Sequence, residues 1–214
     1  MLNNWISDII VPVLSAAIGA GIGGWIAFLI AKQKFSLENR EEGRAGLNTM
    51  KFWLKEVSDE CIKAADVIKL KPEKESEWMD LLTHINGKHS EVDELLRTMG
   101  ITKQQWESHQ NHILRLAMMD ITKKKKVREK CEEVYKEINH LIGDTEIYTK
   151  ELNKLTRGIK YNPDTGFPEE STMNYVCGTD FWTKIANTSN KLNNISNECK
   201  RISASINKIL IALK

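Results

Sequence analysis

Hydrophobic and polar positions divide the chain into one uninterrupted apolar stretch and several amphipathic ones. Residues 9–31 contain no charged side chain in 23 positions. As a helix rising about 1.5 Å per residue, they would span roughly 34 Å, enough to cross a hydrocarbon core of about 30 Å. The stretch therefore predicts a transmembrane helix over residues 9–31.

Two other structures can produce a long apolar stretch near the start of a chain. A cleaved signal peptide has a basic leader, a shorter apolar segment and a small-residue cleavage site, whereas residues 1–8 hold no Lys or Arg. A buried core helix usually has a shorter apolar run. The transmembrane interpretation fits the length and the flanks better than either alternative.

The charges that flank this stretch predict its orientation. Asp8 precedes it, and Lys32, Lys34, Arg40 and Arg44 follow it. The side of a membrane helix that is richer in Lys and Arg normally stays in the cytoplasm. We therefore expect a single-pass protein of the cell (inner) membrane. Residues 1–34 would form the anchor with the N-terminus outside, and residues 35–214 would lie in the cytoplasm.

Beyond the anchor, apolar side chains recur at the spacing of amphipathic helices. The spacing predicts helices over residues 47–70 and 103–121, the second capped by Thr102, with short helices over residues 73–86 and 90–99 between them. No alternation of apolar and polar side chains is long enough to indicate a strand. The fold class is therefore predicted to be all-α.

Two longer stretches carry apolar side chains at alternating spacings of three and four, the pattern of a coiled-coil heptad seam. The first runs from Val127 to Leu155, with Gly143 as a point where it could kink, and the second from Phe181 to Leu213. The turn-rich loop 158–179 joins them, so we expect the two helices to pack antiparallel. With the earlier helices they would form an elongated cytoplasmic helical bundle.

Small residues form two rows along the predicted membrane helix. Close backbone approach across such rows is what draws helices together in lipid, although small residues at this spacing also occur by chance. The pattern resembles the glycine zippers of homo-oligomeric membrane channels and pore-forming toxins, and the resemblance implies self-association and a pore. One row is Ser15, Gly19, Gly23 and Ala27, and the other is Ala16, Ala20 and Gly24.

The net charge and the distribution of basic residues limit the classes of binding partner that the sequence favours. A formal net charge of +2 over 214 residues gives no global attraction to nucleic acid. A solvated helix face is the simpler explanation of one local basic run. The alternative is a patch that attracts anionic lipid headgroups or an RNA backbone, but no aromatic residue is interleaved for base stacking. Nucleic acid is therefore not an expected partner. The run comprises Lys123, Lys124, Lys125, Lys126, Arg128 and Lys130.

Candidate chemistry is sparse. His109 and His112 are three residues apart and share a helix face, which is the geometry of a weak metal candidate, but no third ligand occurs at a supporting spacing. The four cysteines are far apart and form no zinc-binding pattern. There is no phosphate-binding loop and no nucleophile motif. The sequence therefore predicts no cofactor, no metal site and no enzymatic activity.

In size and layout the chain resembles the helical HEPN ribonucleases, some of which carry a membrane helix and act in phage defence. That family requires an Arg followed four to six residues later by a His. No Arg of this chain has a His at that distance, and Arg97, for example, precedes His109 by 12 positions. The resemblance therefore carries no catalytic residue over to this chain.

Three classes of function remain. The first is a self-assembling membrane effector, with pore formation or bilayer perturbation as its sharper form and antiviral defence as one use. The second is a single-span adaptor whose bundle docks a cytoplasmic protein partner. The third is a membrane-tethered nuclease or metal enzyme, which would need a site that the sequence does not reveal. The small-residue rows favour the first class.

Overall fold

The computed structural model describes residues 11–66, 89–118, 125–160 and 179–213, together with residues 162, 164, 169, 171, 172 and 176 of the connection before the last helix. Four long helices make up these ranges, and the described residues contain no strand. The helices are α1 (Val11–Ala65), α2 (His89–Met118), α3 (Lys125–Arg157) and α4 (Thr179–Ala212). The predicted all-α class is confirmed at this level.

The chain divides into two compact units. The N-terminal unit comprises Met1–Glu42, and the bundle unit comprises Gly43–Lys214. Helix α1 contributes to both units. Across the residues that the structure describes, no helix combines the length with the apolarity that crossing a bilayer requires.

Hydrogen bonds show how α1 and α4 run in the bundle unit. The Ser58 and Ser196 hydroxyl oxygens lie 2.8 Å apart in the buried interface. The Ser189 hydroxyl donates to the Ala65 carbonyl at 2.7 Å. Because the later residue of α1 meets the earlier residue of α4, the two helices are antiparallel.

The other neighbouring helices are also antiparallel. Between α2 and α3, the Trp106 indole donates to the Asn139 side-chain oxygen at 2.8 Å. Farther back along α2 and farther along α3, Lys103 pairs with Glu146 at 3.1 Å.

Helix α4 packs on α3 in the same way. The Arg201 guanidinium donates to Glu137 at 2.6 Å, and Lys191 lies 5.8 Å from the centre of the Tyr148 ring. Each helix is therefore antiparallel to its chain neighbours, and α4 closes against α1. This arrangement is an up-and-down four-helix bundle, so the predicted helical bundle is confirmed.

One contiguous core holds the four helices together. Fully burying a Leu or Ile side chain contributes roughly 1.5–3 kcal/mol, and all four helices supply such residues at three-to-four-residue spacing. The largest fully buried side chains are Leu47, Met50 and Leu54 of α1, Leu95 and Ile113 of α2, Ile138, Leu141 and Leu152 of α3, and Ile185 and Leu192 of α4. The heptad seams thus supply the buried faces of α3 and α4.

Helix α2 differs from its prediction. The sequence suggested two helices, with Thr102 capping the second, but one helix runs from His89 to Met118. Thr102 is buried inside it and donates its hydroxyl to the Thr98 carbonyl at 2.7 Å. Gly100 is exposed in the helix interior, where glycine costs only about 1 kcal/mol. Core contacts on both sides outweigh that cost.

Helix α3 likewise continues through its predicted interruption. Gly143 is helical and exposed, and Asp144 lies 3.2 Å from the His140 ring nitrogen one turn earlier. Helix α4 begins at Thr179, two residues before the predicted seam starts at Phe181. The short helix predicted over residues 73–86 lies outside the described residues.

Candidate assembly and membrane surface

An apolar surface surrounds α1 in the N-terminal unit. Every residue from 23 to 31 is exposed, and the large side chains among them are 46–64% exposed. Consecutive residues of a helix point about 100° apart, so the nine uncharged residues 23–31 cover all its sides, with five large apolar side chains over roughly 200° and Gly23, Gly24, Ala27 and Ala31 over the rest. The five large side chains are Trp25, Ile26, Phe28, Leu29 and Ile30.

A helix that is apolar on all sides is normally buried, either in a protein core or in a membrane. Single exposed apolar side chains are common, but contiguous patches mark contact sites for proteins or lipid. The apolar surface of the 23–31 segment would therefore be buried from water on every side, either by lipid or by further copies of the helix.

The glycines of this segment differ from those of the bundle unit. A Cβ added at Gly23 or Gly24 would meet nothing within 4 Å. At Gly43 and Gly46, by contrast, an added Cβ would lie 3.1 Å from the Leu116 and His109 side chains, respectively, because α2 approaches α1 closely there. The small size of Gly43 and Gly46 serves packing within the chain, whereas at Gly23 and Gly24 no internal contact requires it.

The predicted small-residue rows are only partly described. Gly23, Gly24 and Ala27 are helical and exposed. Ser15, Ala16, Gly19 and Ala20 lie on the helical backbone of α1, but their side chains are outside the described part. The three row residues whose surroundings are described are therefore accessible to a second helix.

The basic run begins α3. Lys125, Lys126, Arg128 and Lys130 are all exposed, whereas Lys123 and Lys124 lie outside the described residues. Lys125 is 3.9 Å from Glu129 one turn later. Most of this positive charge therefore faces solvent.

The two candidate metal ligands lie on α2 against α1. The rings of His109 and His112 have centroids 6.5 Å apart and are tilted by 55°. Both residues are half-buried. Within the described ranges, no group of three or more His, Cys, Asp or Glu residues is arranged to hold a metal ion.

Three of the four cysteines are core residues with protonated thiols. Burial raises the pKa of Cys61, with a smaller contribution from Cys199. Burial also raises the pKa of Cys199 to about 12 and that of Cys131 to about 11. Because the thiolate is the reactive form, these side chains are poor nucleophiles and metal ligands near neutral pH. Cys177 lies outside the described residues.

Two apolar residues at helix ends, Met118 of α2 and Ile211 of α4, are 72% and 68% exposed, and the apolar spacing gave no sign of this. Ile211 is adjacent to the apolar seam, and the spacing of Met118 placed it on a predicted buried face.

No protein-family model, characterised protein or solved structure matches the chain.

Proposed function

We propose that the protein is a single-span membrane protein whose copies associate through the small-residue face of the 9–31 stretch, with the helical bundle in the cytoplasm. The observation that carries the proposal is the 23–31 segment of α1. It exposes large apolar side chains on one broad face, and its other face carries small residues, with open space around Gly23 and Gly24.

Insertion into lipid is the simplest way to cover that segment. The uncharged run extends from residue 9 to residue 31, a length suited to a bilayer. Lys32 and Lys34 follow directly and are exposed, where their side chains can reach headgroups. The same basic flank favours a cytoplasmic bundle.

Association follows from the physics of helices in lipid. Lipid tails are as apolar as leucine, so apolar side chains alone give membrane helices no reason to pair. Close approach at small residues supplies the attraction through packing. Gly23, Gly24 and Ala27 offer such a face, and within the described part of the chain no atom lies within 4 Å of a Cβ added at either glycine.

Bilayer perturbation is the sharper form of this function. A ring of helices that meet through small residues can enclose a pore, whose opening would make the protein a membrane effector. A tethered adaptor, in which the bundle docks a cytoplasmic protein, requires the same anchor without the association. The oligomeric state therefore distinguishes the two functions, because the effector requires association and the adaptor does not.

The test is the mass of the full chain in mild detergent, measured by light scattering with the detergent contribution subtracted. We expect a complex several times the 24.5 kDa monomer. Gly19→Leu combined with Gly23→Leu should return it to monomer. Gly143→Leu is the matched control, because Gly143 is also helical and exposed, with nothing within 4 Å of an added Cβ.

A monomeric wild-type chain, or a double variant that keeps the full mass, would contradict association through this face. For the pore, the same proteins are reconstituted into dye-loaded vesicles. Wild type and Gly143→Leu should release dye, whereas the double variant should not. An oligomer that releases no dye would contradict pore formation but would still support self-association.

A further inference from the structure

The antiparallel register brings four helix segments together at the end of the bundle where α1 enters at Gly43. An added Gly43 Cβ would lie 3.1 Å from Leu116 near the end of α2. The Arg201–Glu137 pair places Lys208 of α4 level with the first turns of α3. We call this the entry end, residues 43–50, 109–118, 125–132 and 205–213, and the opposite one the far end, residues 58–66, 89–98, 150–160 and 179–190.

The entry end is strongly positive. It carries seven basic and only two acidic side chains, Glu129 and Glu132, and Glu132 pairs with Lys136 at 2.9 Å. The charge comes from all four helices, so the basic run of α3 is one part of a larger surface. The seven basic residues are Arg44, Arg115, Lys125, Lys126, Arg128, Lys130 and Lys208.

The far end has no such excess. It carries seven basic and eight acidic residues, and many of them form ion pairs. The pairs among them are Lys63–Glu60, Arg97–Glu94, Arg157–Asp93 and Lys184–Asp180. The positive charge is therefore specific to one end of the bundle.

The positive charge works against the stability of α3. The N-terminus of a helix has a partial positive charge and favours acidic side chains, but the first turn of α3 contains none. Lys125, Lys126 and Arg128 also repel one another and the helix terminus. An external anionic surface would offset both effects, which gives this arrangement a physical reason beyond the fold.

Exposed apolar side chains at the same end favour lipid over nucleic acid. Met118 and Ile211 are 72% and 68% exposed within the entry end. Apolar side chains among basic ones enter the headgroup region of a bilayer, whereas single-stranded nucleic acid is bound by stacking on aromatic side chains. Neither residue is aromatic.

The covalent chain keeps this end near the proposed anchor. Only eleven residues, 32–42, separate the apolar stretch from Gly43. Even fully extended, such a segment reaches only about 40 Å. Gly43 belongs to the entry end, so this end of the bundle cannot move far from the membrane that would hold the 9–31 stretch.

We propose that the entry end binds the anionic lipid headgroups of the membrane in which the protein is anchored. The inference rests on the proposed membrane anchoring and adds a defined orientation of the bundle and a dependence on lipid charge. Each Lys or Arg near an anionic surface contributes about a fivefold change in partitioning, so this surface acts through the sum of several charges.

The test compares lysine reactivity of the full chain in neutral phosphatidylcholine nanodiscs and in nanodiscs containing phosphatidylserine. An amine-reactive ester labels the protein, and mass spectrometry measures the rate at each lysine. We expect labelling of Lys126, Lys130 and Lys208 to fall severalfold in anionic discs, with Lys154 and Lys160 of the far end unchanged. Salt at about 1 M, where the Debye length is about 3 Å, should restore the rates.

Charge-reversal variants separate this surface from general attraction. Lys126→Glu with Arg128→Glu and Lys130→Glu should abolish the protection of Lys208. Lys150→Glu with Lys154→Glu and Lys160→Glu changes the net charge equally at the far end and should leave the protection intact. Equal loss of protection in both variants would overturn the proposal.

The outcomes distinguish this proposal from the anchoring itself. Equal lysine labelling in neutral and anionic discs, with the protein stably inserted in both, would overturn the lipid-docking proposal and leave the anchoring proposal standing. A chain that leaves neutral discs in an alkaline wash overturns the anchor. Co-sedimentation with anionic vesicles then tests docking, with a loss of at least about 100-fold expected for the entry-end variant. Protection by added single-stranded RNA but not by anionic lipid would also overturn lipid docking.

Discussion

Helix α1 carries two apolar stretches with opposite surroundings. Residues 23–31 are exposed, whereas Leu47, Met50 and Leu54 are completely buried in the bundle core. The difference follows from the spacing of apolar residues. In the second stretch they recur every three or four positions, so a single face meets α2 and α4. In the first they occupy every side, which neighbouring helices on one face cannot cover.

The largest expected effect comes from removing a buried side chain. Leu54→Ala should lower the free energy of unfolding of the bundle by about 2–5 kcal/mol, because it leaves a cavity in a packed core. Ile26→Ala in the exposed stretch should change it by less than about 0.5 kcal/mol. Urea unfolding of the full chain in detergent, followed by helical circular dichroism, measures both. Similar losses in the two variants would contradict the distinction.

Alkaline pH should destabilise the bundle, and the buried stretch of α1 contributes to this through Cys61. Burial raises the pKa of this thiol above its ordinary value, while in the unfolded chain it ionises near pH 8.5. Its stabilising contribution is complete below about pH 8.5 and declines by about 1.4 kcal/mol per pH unit above it, because only the unfolded state releases the proton. Unfolding measured between about pH 8 and 10 gives the slope.

Cys61→Ala is the control for this pH dependence. It lowers the stability at neutral pH, but its curve should fall less steeply above about pH 8.5 by the contribution of one thiol. Parallel curves for wild type and variant would show that Cys61 ionises equally in both states and would contradict its burial.

A glycine substitution sharpens the comparison further. Gly46→Leu should destabilise the bundle by about 1–3 kcal/mol, because its Cβ would lie 3.1 Å from the His109 Cβ and 3.3 Å from the Ile113 side chain. A Cβ added at Gly23 meets no atom within 4 Å, so Gly23→Leu should leave bundle stability unchanged while weakening association. Circular dichroism and light scattering on the same samples would separate the two effects. A loss of bundle stability in Gly23→Leu would contradict the observation that Gly23 has open space around it.

The smallest effect tests whether exposure, rather than location in the N-terminal unit, explains the difference. Ile147 lies on α3 in the bundle unit but is 61% exposed. Ile147→Ala should lower the free energy of unfolding by no more than about 0.5 kcal/mol. Ile138→Ala, one buried residue on the same helix, provides the matched comparison, with a loss of about 2–5 kcal/mol. A large loss at Ile147 would show that location matters more than exposure.

Helix ends were less predictable from sequence than helix faces. Thr102 and Gly143 carry local signals of a cap and a break, yet both lie inside continuous helices. Local propensities of about 1 kcal/mol compete there with the burial of several large side chains on either side. The Thr102 hydroxyl also finds an acceptor within its own helix, at the Thr98 carbonyl.

The amino-acid sequence by itself determined the helical class, the buried faces of the long helices and the uncharged stretch, because these depend on spacing along one chain. Tertiary structure alone decided which helices are neighbours, why α2 needs glycine at positions 43 and 46 of its partner, and that basic residues distant in sequence share one end. Such features depend on the antiparallel register. The burial of side chains from all four helices sets that register, and no single segment contains it.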